Sequence, residues 1–127
     1  MIRVLAEGDP YFHVAGTVPD VRPYLWNAAV SIVPLRIGGG TRLKIYEAMA
    51  AGRPVVSTAV GAVGLLVHPA QDILLADAPA AFAEACLSLL EYPERHRTLA
   101  VAALEMVSDN LSWEQTVARF EEVLQRV

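Results

Sequence analysis

Two rhythms of apolar residues alternate along this chain. Short β-branched or aromatic runs at Tyr11–Ala15, Ala29–Leu35 and Pro54–Thr58 read as strands, with weaker ones at Gly64–Val67 and Ile73–Leu75. Ala29–Leu35 is apolar with little alternation, the pattern of a strand covered on both faces. The intervening stretches carry the 3.6-residue period of helices. Asp20 is placed to cap a helix over Val21–Ala28, with Pro23 in its first turn, where a missing N–H costs nothing. A second helix over Arg42–Ala51 stops at Gly52, a left-handed glycine followed by Arg53-Pro54. Further on, Phe82, Ala85, Cys86, Leu89 and Leu90 form one apolar stripe, and Leu99, Ala102, Ala103, Met106 and Val107 form another. Ser112 and Gln115 make a capping box for a last helix, whose stripe is Trp113, Val117, Phe120, Leu124 and Val127.

This order predicts an α/β domain: a Rossmann-like parallel sheet of about four short strands with flanking helices, joined by right-handed crossovers. Residues 1–67 carry the strand and helix alternation, and residues 68–127 are mainly helical, so the C-terminal third is mostly helix. Ligands on such sheets bind beyond the carboxyl ends of the strands. Ile2–Glu7 reads as the last turns of a helix that enters the first strand through Gly8-Asp9-Pro10.

Composition narrows the function classes. With 54% hydrophobic and 19% charged residues, the 127-residue chain is too apolar to be disordered. A net charge of −4 argues against a general nucleic-acid binder. The single cysteine, Cys86, excludes a disulfide framework or a cysteine-based zinc site and is most simply a core residue. No apolar run is long enough to span a membrane, and the first residues lack the form of a secretory signal, which together predict a cytoplasmic protein. Charge is uneven: residues 1–64 balance at +2 and residues 65–127 at −6. Arg36, Arg42, Lys44 and Arg53 face only Glu47 within their stretch, which suggests a small anionic ligand.

That cationic stretch carries the chemistry. Val33-Pro34-Leu35-Arg36-Ile37-Gly38-Gly39-Gly40-Thr41-Arg42-Leu43-Lys44-Ile45-Tyr46-Glu47 runs strand, glycine turn, helix. Without Cβ atoms, Gly38, Gly39 and Gly40 let backbone N–H groups face one point. The following helix brings its unpaired N–H groups and positive dipole end to the same place, an arrangement that suits phosphate. Thr41 adds a hydroxyl, and Arg36, Arg42 and Lys44 add charge. It is neither a P-loop nor a dinucleotide fingerprint. Glu47, about two turns into the helix, either pairs with Lys44 on the surface or accepts hydrogen bonds from the hydroxyls of a ribose. Ser57-Thr58-Ala59-Val60-Gly61 follows a strand and lies on the ligand edge, where its backbone is expected to supply donors. His13, His68 and His96 are not at metal-ligand spacing, and no Ser/His/Asp set stands out.

Three blocks of residues resemble the group 1 retaining glycosyltransferases of the GT-B fold. They are Gly16-Thr17-Val18-Pro19-Asp20, Pro34 to Lys44, and Glu47-Ala48-Met49-Ala50-Ala51-Gly52-Arg53-Pro54-Val55-Val56-Ser57-Thr58. The resemblance covers nearly the whole chain and implies the C-terminal lobe that binds a nucleotide-sugar donor. It implies ribose contact by Glu47, a diphosphate and sugar held at Gly38–Arg42, and a base met by backbone near Gly16, Thr17 and Val18. It also implies metal-independent chemistry, in which protein groups neutralise the departing diphosphate. Many members carry a second glutamate eight residues before the ribose one; here that position is Gly39. The family's earlier donor-lobe strands and its acceptor lobe precede anything in this sequence, so the expectation is a fragment that transfers no hexosyl group alone. The open alternatives are a stand-alone nucleotide- or phosphate-binding module, and a degenerate lobe whose last helix docks on a partner. A first strand without a neighbour would further leave a sheet edge prone to self-association.

Overall fold

The computed structural model describes residues 2–38, 43–111 and 113–125. In chain order the elements are α1 (Ile2–Ala6), α2 (Arg22–Asn27), β1 (Ser31–Val33), α3 (Leu43–Ala50), β2 (Val55–Ser57), a 3-10 turn (Val60–Ala62), β3 (Leu74–Leu75), α4 (Pro79–Glu91), α5 (Pro93–Asn110) and α6 (Trp113–Gln125). The sheet is parallel in the order β1-β2-β3, with Ile32 opposite Val56 and Val56 opposite Leu74. This is the α/β, Rossmann-like architecture that the alternation of strand and helix predicts.

Alternate residues of β2 build two cores. Val55 faces Val33, Ile45, Met49, Ala103 and Met106, while Val56 faces Leu74, Leu89 and Leu99 on the other side. Only the central strand, β2, is buried at every residue. α3 covers the first face and α4 the second. α5 contributes to both, with Leu99 in one cluster and Ala103 and Met106 in the other. The buried residues of α3, Ile45, Ala48 and Met49, recur at the helical period, which leaves Lys44 and Glu47 exposed. The end of α3 follows from Gly52. At φ 75° its N–H donates to Met49 O and the next N–H, of Arg53, donates to Ala48 O, both at 3.0 Å.

Several sequence expectations need correction. Tyr11–Ala15 is not a strand, so the described sheet has three strands rather than about four. Asp9 diverts that segment's backbone: its carboxylate accepts the Tyr11 N–H at 2.9 Å and its carbonyl accepts the Phe12 N–H at 3.1 Å. Gly64–Val67 forms a loop that opens on Gly64 at φ 81°. The strand within Ala29–Leu35 shortens to β1 and is covered on one face only: Ile32 shares the face of its partner Val56, but at the edge of the sheet it stays exposed. Asp20 sits one position before the cap residue, Val21, yet still accepts the Arg22 N–H at 3.0 Å. Leu90 leaves the α4 stripe and is exposed. Ser112, half of the expected capping box, and Val127 lie outside the described residues.

Candidate functional site

Parallel strands direct their carboxyl ends, and the turns that follow them, to one edge. Here that edge carries Pro34-Leu35-Arg36 after β1, Thr58 after β2 and Asp77 after β3. Thr58 ties the turns together: its N–H donates to Val33 O at 3.2 Å, its hydroxyl donates to Leu35 O, and it accepts the Gly61 N–H at 3.1 Å. Asp77 accepts the Ala59 N–H at 2.9 Å. The expected backbone donors at Thr58, Ala59 and Gly61 are therefore spent inside the protein, which corrects the reading of that segment as a ligand-facing set.

Arg36 is exposed and lines a cavity of about 260 Å3 with Thr58, Asp77 and Phe82. Glu47 lies elsewhere, in a groove of about 360 Å3 between α2 and α3. Val21, Arg22, Leu25 and Trp26 form the α2 side of this groove, and Ala50 and Ala51 continue the α3 side. The Arg22 guanidinium lies 5.9 Å from the Trp26 ring centroid and 2.9 Å from the Asp20 carboxylate. That pairing holds the exposed Asp20 carboxyl below its ordinary pKa, chiefly through the side-chain hydrogen bond from Arg22. Among the described residues no ion pair joins Lys44 to Glu47. Of the two sequence readings of Glu47, the surface pair with Lys44 is thus not formed.

The predicted site residues are brought together in part. Gly16 turns at φ 73°, a conformation that favours glycine, beside the Arg3 guanidinium. Thr17 and Val18 then lead through Asp20 to the α2 wall of the Glu47 groove. Gly38 is exposed beyond β1, and α3 begins at Leu43. Gly39, Gly40, Thr41 and Arg42 lie outside the described residues. Arg36 and Glu47 do not share a cavity. Sequence reasoning missed the Arg22–Trp26 wall and the Asp77 anchor. The tryptophan on a short helix ahead of β1 was the available signal for the first; Asp77, 18 residues from its partner, had none.

A sequence profile described as "Glycosyl transferases group 1" matches residues 2–92. The chain belongs to the group 1 glycosyltransferases. The match spans α1 to the end of α4 and includes every predicted site residue from Gly16 to Glu47. No curated protein matches the sequence. Among the described residues no helix is long and apolar enough to cross a membrane.

Proposed function

We propose that this chain is the nucleotide-sugar donor-binding lobe of a glycosyltransferase that moves a hexosyl group. The observation that carries the reading is Glu47: an exposed carboxylate without a cation partner among the described residues, one turn inside a helix that follows a triple glycine. A carboxylate beside a helix start is poorly placed to bind phosphate but well placed to accept from neutral hydroxyls. Glu47 then holds the ribose while Gly38–Arg42, with Lys44 and Arg36, neutralise the diphosphate. Backbone at Gly16, Thr17 and Val18 meets the base. In the transfer step charge grows on the departing diphosphate, and donors fixed at a helix mouth stabilise it without a metal ion. Binding the donor does not by itself complete catalysis, because an acceptor must also be positioned and water excluded.

The test is a binding cycle. A nucleoside diphosphate hexose and its 2′-deoxy analogue are titrated against the native chain and against Glu47→Gln. A hydrogen bond to an ionised group contributes roughly 1.5–3 kcal/mol, so the native chain should prefer the ribose form about tenfold or more. That preference should shrink in the variant. Equal loss of affinity for both ligands would remove Glu47 from the ribose, and measurable sugar transfer by the isolated chain would contradict the division of labour.

A further inference from the structure

A cavity of about 480 Å3 lies at the opposite end of the sheet from the proposed donor site. Ala29 on its rim precedes β1, and Gly52 and Arg53 precede β2, so it opens at the amino ends of the strands. A three-residue strand separates the two ends by roughly 10 Å. The segment ahead of β1 pins two cationic or titratable side chains side by side. The Ala28 carbonyl accepts from Arg53 Nη1 at 3.2 Å, and the Ala29 carbonyl accepts from His96 Nε2 at 2.7 Å. Because a carbonyl only accepts, that bond places a proton on Nε2 of His96. Arg97, early in α5, lines the same cavity, and its ion pair with Glu94 is long at 3.9 Å and exposed to solvent.

The lining of this cavity offers its cations little compensation. No carboxylate lines it, and among the described residues neither Arg53 nor His96 forms an ion pair. The Arg53 Nε–H is buried and donates to nothing among the described residues, an unusual state for a guanidinium, which stays charged at any working pH. The rest of the lining is apolar: Leu89, Leu90 and Val101. A phosphoryl group carries about −1.5 to −2 charge and three acceptor oxygens, which matches two guanidiniums and an imidazole better than a single carboxylate does. The leucine and valine wall suits an apolar body attached to it.

We infer that this amino-end cavity is a second binding site, for a phosphomonoester with an apolar body. Arg53 and Arg97 grip the phosphoryl oxygens, His96 donates beside them, and Leu89, Leu90 and Val101 receive the body. The 127-residue chain is titrated with phenyl phosphate while the His96 ring and Arg53 Nε–H resonances are followed by NMR. Inorganic phosphate and benzyl alcohol are run as separate arms. Phenyl phosphate should shift both resonances saturably, several-fold more tightly than either arm. Arg97→Gln, at an exposed position outside both cores, should weaken it about tenfold, the scale of a lost charge-assisted hydrogen bond. Failure to shift both resonances, equal affinity for inorganic phosphate or benzyl alcohol, or unchanged affinity in Arg97→Gln overturns the inference. Shifts confined to Lys44 and Glu47, at the far end of the sheet, overturn it as well.

Discussion

Replacing Gly61 with alanine probes the joint that fixes the turns at the carboxyl edge. Gly61 is buried in the 3-10 turn after β2, where the chain folds back over the end of β1. A Cβ there would collide with Ser57 Oγ and stand 3.2 Å from both Val33 Cγ1 and Val33 O. None of these atoms yields readily. Val33 belongs to a strand in the core, and Ser57, wholly buried, donates its hydroxyl to Thr58 O at 2.8 Å. Overpacking of this kind costs roughly 1–3 kcal/mol, and displacing the serine hydroxyl adds about 1 kcal/mol, so Gly61→Ala should lose about 2–4 kcal/mol. Urea denaturation measures it, and two other glycines serve as controls. Gly64, at φ 81° with nothing within 4 Å of a new Cβ, should lose about 1–2 kcal/mol from backbone strain alone. Gly8, with open space and an ordinary φ, should change by less than about 0.5 kcal/mol. Combining Gly61→Ala with Ser57→Ala should cost less than the sum of the two single changes, since the second removes the atom that the first strikes. A Gly61→Ala loss no larger than that at Gly8, or strict additivity with Ser57→Ala, would refute the steric account.

Two further outcomes follow from the fold. Burial pushes the Cys86 thiol above its ordinary pKa, so the folded state holds the proton more tightly than the unfolded chain does. That stabilisation is complete below the ordinary thiol value and is lost as pH rises from there through the raised folded value. Urea midpoints should therefore fall more steeply on the alkaline side for the native chain than for Cys86→Ala; parallel curves would contradict this. Ile32, 54% exposed on β1, leaves an apolar edge with no strand beside it among the described residues. Sedimentation should show concentration-dependent self-association that Ile32→Lys suppresses, and a monomer at every concentration would contradict it.

Helices were legible from the sequence wherever a local signal and a tertiary partner agreed. The Gly52-Arg53-Pro54 stop, the buried face of α3, and the stripe from Leu99 to Val107 all stand, because α3 and α5 pack their apolar faces against each other and against β2. Strands were less legible, because a strand needs a neighbour that periodicity does not report. Tyr11–Ala15 has strand-like residues but no ladder partner, and Asp9 offers its backbone a local alternative. Ala29–Leu35 reads as doubly covered because Ile32 is as apolar as Val33, yet β1 lies at the edge of the described sheet, where Val33 is buried and Ile32 is left exposed. The exposure of Glu47 follows from the helical spacing that buries Ile45, Ala48 and Met49 on the other face of α3. The α2 wall it faces, and the pinning of Arg53 and His96 by adjacent carbonyls, arise from contacts across 25 and 67 residues that no local pattern encodes.

The central claim is that a diphosphate is gripped where the glycine run meets α3. Backbone amide shifts from Gly38 to Lys44, followed as uridine, guanosine and adenosine diphosphate sugars are added in turn, test it most directly. The account predicts saturable shifts at those amides for at least one nucleotide, with Glu47 moving in step. Amides from Gly38 to Lys44 that stay still with every nucleotide would contradict it.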